Sequence, residues 1–150
     1  MSILETFQAH IGKEVGVSDW VEITQDRVNA FADVTEDHQF IHVDVEKAKE
    51  LTPFGGTIAH GFLSLSMLSC FAETGMLKVD GIKMGMNYGC NKVRFLSPVP
   101  TGSRLRGRFT LTSVVEKKPD QYLLEYAITV EIEGAEKPAI VVEWLSLIFV

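Results

Sequence analysis

Cysteine is scarce in this sequence: Cys70 and Cys90 are the only two, and neither has a second cysteine or a histidine at ligand spacing. Four histidines, none with a C-x-x-C grouping beside it, add nothing to them, so no metal centre is expected. Nothing in the first residues reads as an export signal either. Met1 to Gly12 carries Glu5, Gln8 and His10 where a basic start and an unbroken apolar run would stand. Without such a signal the two cysteines read as reduced thiols of a cytoplasmic protein. Positive charge is also in deficit, with 14 Lys and Arg against 20 Asp and Glu and a net charge of −6. A phosphate-binding face needs clustered cations, so nucleic acid is not an expected partner. The one basic cluster, Lys92, Arg94, Arg104, Arg106 and Arg108, alternates as the solvated face of a strand does; contact with the phosphates of a nucleotide handle is the other reading. Long apolar runs are absent too. The nearest, Thr57 to Ala72, is interrupted by His60, Ser64, Ser66 and Ser69, which fits a buried helix and no membrane span.

What is present suits one compact domain over residues 1–150. At 46% hydrophobic the chain can bury one substantial core and not two. Thr24 can cap a helix in which Val28, Phe31 and Ala32 share a face, ending near Asp37. A second helix is expected from Val45 to Leu51, with Asp44 as cap and Pro53 beyond its end. The longest is expected over about Ile58 to Glu73, apolar on almost every side and closed by Gly75. Four runs of strand character follow, Lys83 to Leu96, Arg104 to Glu116, Tyr122 to Glu133 and Ala139 to Val150. Four late strands around one buried helix, without a βαβ rhythm, argue for an α+β fold with an antiparallel sheet.

The chemistry concentrates between Glu36 and Glu50. Asp37 and His42 stand five residues apart at the end of a helical pattern, and a carboxylate paired with an imidazole is a common water-activating set. Around them run Phe31, Ala32-Asp33, Val34, Thr35, Asp37, Ile41, His42 and Ala48. This pattern resembles the motif of the MaoC-like dehydratases, the (R)-specific enoyl-CoA hydratase group. It departs at three places: Glu36 stands where glycine is usual, Gln39 where asparagine is and Phe40 where proline is. The wording FADVTEDHQFIHVD is most similar to the nodulation protein N-like branch. A second segment, Pro53-Phe54-Gly55-Gly56-Thr57-Ile58-Ala59-His60-Gly61-Phe62-Leu63, resembles the family's Pro-x-x-His-Gly approach to the central helix, and nine residues past His60 comes Ser69, where the family places a serine.

The resemblance implies a hot-dog fold, in which the antiparallel sheet wraps one long central helix and two subunits join their sheets edge to edge as a homodimer. It implies water added across the double bond of a trans-2-enoyl thioester of coenzyme A or acyl carrier protein, with no cofactor. Asp37 and His42 would share the water as catalytic residues, and either could be the base. The backbone N–H of Gly61 would hold the thioester oxygen, because the first amides of a helix are unpaired and lie at the positive end of its dipole. Ser69, Gln39 and His60 are supporting candidates. Each also has an ordinary reading: Ser69 bonded to a carbonyl one turn back, Gln39 satisfying loop backbone, His60 bonded to backbone at the helix start. Two other functions stay open, an acyl-CoA thioesterase of the same fold and a non-catalytic acyl-binding protein.

Overall fold

The computed structural model describes residues 1–150. Helix α1 (Ile3–Gln8) starts on a reciprocal cap, in which Ser2 Oγ accepts from the Glu5 amide and the Glu5 carboxylate accepts from the Ser2 amide. Two short strands follow, β1 (Glu14–Val17) and β2 (Val21–Glu22). Helix α2 (Gln25–Thr35) begins where its cap predicts, with Thr24 Oγ1 accepting from the Arg27 amide at 3.1 Å and Val28 and Ala32 fully buried. A single turn, α3 (Phe40–Val43), leads into α4 (Val45–Leu51), capped by Asp44 Oδ1.

The long helix is shorter and less straight than its hydropathy suggests. It runs as α5 (Gly61–Ser66) and α6 (Leu68–Gly75), joined at Met67, whose N–H is shared between the Leu63 and Ser64 carbonyls at 3.1 and 3.3 Å. It does not begin at Ile58, because the chain is still extended there: Ile58 bridges Pro100, His60 sits at ψ 137°, and the Ile58 and Ala59 amides bond the carbonyls of Ile41 and Val99 at 2.9 and 2.8 Å. Nor is it covered all round: Phe62, Ser66, Ser69 and Cys70 face outward. Its other face, through Leu63, Leu68 and Phe71, packs on the sheet.

That sheet is built from β3 (Met84–Phe95), β4 (Arg104–Lys118), β5 (Gln121–Ile132) and β6 (Ile140–Phe149), all antiparallel, in the order β1-β4-β5-β6-β3 with β2 also on β4. Period-2 alternation decides its faces. Leu105, Phe109 and Leu111 on β4, Leu124, Tyr126, Ile128 and Val130 on β5, and Ile140, Val142 and Ile148 on β6 are buried beneath the helix. This is the hot-dog arrangement. Strand β3 is different: it forms the open edge, almost every residue exposed, with Met84, Met86, Tyr88 and Phe95 among them. No helix is long and apolar enough to cross a membrane.

The outward face of β4 is a charge ladder. Arg106 pairs with Glu131 at 2.7 Å and lies over the Trp20 ring, Arg108 bridges Glu131 and Glu14, and Arg104 pairs with Glu133 at 3.2 Å. These three arginines are therefore matched by acids on the strand's solvated face. Burial pushes the Glu131 carboxyl up, but its bonds to Arg106 and Arg108 outweigh that and hold it below the ordinary carboxylate value. A depressed folded value gives stability that is complete above the ordinary range and lost as pH falls through the folded value. Glu131→Gln is expected to flatten the acid limb of a stability curve below about pH 4.5, read by urea titration at successive pH values.

Candidate active site

Three segments converge at the amino end of α5. The end of α2 supplies Asp37 through a left-handed residue: Glu36 sits at φ 62°, the conformation that glycine takes without penalty. A side chain there costs about 1 kcal/mol. Glu36→Gly is thus expected to raise stability by up to about that amount, checked by denaturant midpoint. Beyond it, Asp37 Oδ1 accepts from the Gln39 amide at 3.3 Å, a turn that fixes the carboxylate against its own backbone.

His42 comes from α3 and is buried. Its Nδ1 lies 2.7 Å from the Ile58 carbonyl oxygen. A carbonyl only accepts, so in the neutral ring Nδ1 carries the proton and Nε2 keeps its lone pair. Gln25 secures the same residue from behind, donating from Nε2 to the His42 carbonyl at 2.8 Å while its Oε1 accepts from Thr57 at 2.6 Å. His60, the residue before α5, stacks on His42 with ring centroids 3.8 Å apart and planes 23° apart. Its Nε2–H donates to the Asp37 backbone carbonyl at 3.0 Å and lies 3.9 Å from Asp37 Oδ2. His60 therefore holds both members of the pair, one by its backbone and the other by its ring.

One Asp37 oxygen and one nitrogen from each of His42 and His60 all lie within 4.8 Å of one another. A single water accepting or donating two bonds spans about 4.6 Å, so one solvent molecule can touch carboxylate and imidazole together. The same three groups could be considered for a metal ion. Ring stacking opposes this: zinc sits in the plane of each imidazole at about 2.0–2.1 Å, and two rings lying nearly face to face cannot both aim in-plane lone pairs at one point.

Beside His42 opens a cavity of ≈ 230 Å³, walled by Ile58, Val99 and Ile140 with Gly61 and Ser64 of α5 and Phe95 of β3. Gly61 has a packing reason to lack a side chain, since a Cβ there would stand 2.9 Å from the Phe95 ring. Its amide, the first of the helix, has no acceptor in the chain.

The structure thus brings together Asp37, His42, His60 and Gly61. Gln39 touches the site through its backbone only and leaves its side chain exposed. Ser69 does not join them: it is exposed on α6 and faces a separate groove with Asn87, Cys90 and Trp144. Nine residues along a helix bent at Met67 carry it more than two turns past His60. Sequence reasoning passed over Gln25, the Ile58 carbonyl and Ser64. Ser64 was the most accessible of these, because it stands one turn after His60 on the same face.

An antiparallel sheet closed over a helix, with an acid–imidazole pair at that helix's amino end, defines a hot-dog domain with a carboxylate and two imidazoles gathered at one place. A family model described as MaoC like domain matches residues 6–132. The chain is 49% identical over 140 residues to nodulation protein N of Rhizobium leguminosarum bv. viciae, covering 93% of this chain and 87% of that protein. It is 50% identical over 135 residues to 3-hydroxyacyl-thioester dehydratase Z of Mycobacterium tuberculosis, covering 90% and 88%. Among solved structures, the (R)-hydratase from A. caviae involved in PHA biosynthesis superposes with a TM-score of 0.71 at 25% identity, covering 90% of this chain and 96% of that one. The chain belongs to the MaoC-like dehydratase family.

Proposed function

We propose that this protein is a hydro-lyase that adds water to a trans-2-enoyl thioester, giving a (3R)-hydroxyacyl thioester, and catalyses the reverse dehydration. The observation that carries the reading is the approach of an Asp37 carboxylate oxygen and a His42 ring nitrogen to within 4.8 Å, with His42 Nε2 left as an acceptor by the bond from Nδ1–H to Ile58. His42 Nε2 and the Asp37 carboxylate hold one water over C3. As its oxygen bonds to C3, the π electrons of the double bond move toward the thioester and the carbonyl oxygen gains negative charge. The proton released by the water is delivered to C2 on the same face, so both hydrogens and the oxygen of the water are accounted for. The Gly61 N–H faces the growing charge on the thioester oxygen, which is where a fixed dipole lowers the barrier. The names of the mycobacterial and A. caviae relatives agree with this chemistry.

Two further parts belong to the same proposal. Asp37 is 53% exposed in the lone chain, too open to shield a reacting water. Phe95, which walls the cavity beside His42, sits at the end of the open β3 edge and meets Phe62 edge-on, with Met84, Met86 and Tyr88 further along that strand. A second copy pairing along β3 would cover this apolar strip and remove the bare edge, giving a homodimer. The exposed free thiols of Cys70 and Cys90 suit a reducing, cytoplasmic setting.

Purified protein tested with crotonyl-CoA decides the reading. Loss of the enoyl absorbance without release of thiol is the expected result. Release of free coenzyme A thiol would make the protein a thioesterase instead, and neither change would leave it a binding protein.

A further inference from the structure

Ser64 carries a hydroxyl that nothing in the protein uses. The residue is 1% exposed and its Oγ has no hydrogen-bond partner. Other hydroxyls on the helices of this chain take the usual way out and donate to the carbonyl four residues back: Ser66 to Phe62 at 2.7 Å, Thr35 to Phe31 at 2.7 Å, Thr52 to Ala48 at 2.6 Å. Ser64 does not. The corresponding acceptor, the His60 carbonyl, already receives the amides of Leu63 and Ser64 at 3.0 and 3.2 Å. A buried donor left unpaired lowers stability, so one that persists beside a reactive site calls for a ligand.

The position of Ser64 says which part of a ligand it meets. Side chains on a helix lean toward its amino end, so Ser64 lies over the turn containing His60 and Gly61, and Gly61 has no side chain to intervene. Ser64, Gly61 and His42 line one cavity whose remaining wall is largely apolar. A thioester that brings C3 to His42 carries its carbonyl oxygen toward Gly61, and the Ser64 hydroxyl is a second donor on that side.

We propose that Ser64 is a catalytic residue that donates a hydrogen bond to the thioester carbonyl oxygen alongside the Gly61 amide. This rests on the hydratase reading above. The bond strengthens as charge gathers on the oxygen in the transition state, so its loss lowers kcat with little effect on KM.

The test uses full-length protein carrying Ser64→Ala or Ser64→Thr. With crotonyl-CoA, Ser64→Ala is expected to lose about 10- to 100-fold in kcat with KM within about threefold, and Ser64→Thr, which keeps the hydroxyl, to recover most of the loss. The second readout is spectroscopic. Cinnamoyl-CoA bound to Asp37→Asn protein, where turnover is stopped, absorbs at longer wavelength as its carbonyl is polarised, and adding Ser64→Ala should shrink that shift. A kcat within about twofold of the parent overturns the proposal. So does a lower kcat with an unchanged shift, which would assign the hydroxyl to His60 Nδ1, the other buried unpaired atom nearby in sequence. Failure of the hydratase reading shows up separately, as parent protein that leaves crotonyl-CoA unhydrated, while the cinnamoyl shift still reports whether Ser64 touches a bound thioester.

Discussion

Asp37→Asn and His42→Ala are each expected to lower hydration of crotonyl-CoA by about a hundredfold or more, since a positioned acid–base group is typically worth 10²–10⁴. The structure indicates which variant isolates chemistry from folding. Asp37 is exposed and the hydrogen bond its carboxylate accepts, from the Gln39 amide, is one that an asparagine oxygen can also accept, so Asp37→Asn should unfold within a few degrees of the parent. His42 is buried against Ile58 and His60, so His42→Ala leaves the Ile58 carbonyl without its donor and costs stability as well. His42→Gln keeps a donor for Ile58 and loses the imidazole, which separates the two effects. Because both groups act on one water, the double variant Asp37→Asn/His42→Gln should be little slower than the worse single one. Additive losses would mean two independent tasks, and activity within a few-fold of the parent in either single variant would remove the pair from the mechanism. Steady-state rates from enoyl absorbance, with thermal melts of the same preparations, decide between these outcomes.

Local signals were readable where a cap or a period announces itself. Thr24 and Asp44 begin α2 and α4 where their spacing predicts, and the alternation in β4, β5 and β6 follows the buried faces. Strands β1 and β2 were not readable: they have four and two residues, and they exist because β4 is long enough to pair with both. The central helix shows where hydropathy misleads. Phe62 and Cys70 belong to an apolar-looking helix and yet face outward, because apolar character records a preference for burial and not the presence of a cover. At the site, the sequence brought out Asp37 and His42 and named His60 as a supporting candidate, but not the bond by which His60 holds the pair. The His60 bond to the Asp37 carbonyl joins residues 23 positions apart through a backbone atom, and no side-chain pattern encodes it. Ser69 illustrates the converse, a match in linear spacing that the turn at Met67 and the helix phase carry to another face.

Gly16→Ala is expected to destabilise the fold by about 3 kcal/mol, at the upper end of overpacking costs, lowering the melting temperature by roughly 6–12 °C for a chain of this size. A Cβ built on Gly16 would stand 2.2 Å from the Gly75 carbonyl oxygen and 3.0 Å from its carbon. Both are backbone atoms, so no side-chain rotation can relieve the clash. The neighbourhood has little freedom to move: a Cβ on Gly75 would meet the Ser18 amide at 2.9 Å, the Ser18 amide bonds Gly107 at 2.8 Å, and the Asp19 amide bonds Thr74 Oγ1 at 2.9 Å. These contacts dock the carboxyl end of α6 onto β1 and β4, which fixes the helix whose amino end carries Gly61 and Ser64. Gly56→Ala is the matched control, because a Cβ there meets nothing within 4 Å, and its effect should stay within about 0.5 kcal/mol. At a temperature where Gly16→Ala remains folded, its hydration rate per folded molecule should equal the parent's if the docking only stabilises; a lower rate would show that the position of α6 sets the geometry of the site at the other end of the same helix pair. Urea midpoints for both variants, followed by rates on the folded fraction, supply the answer.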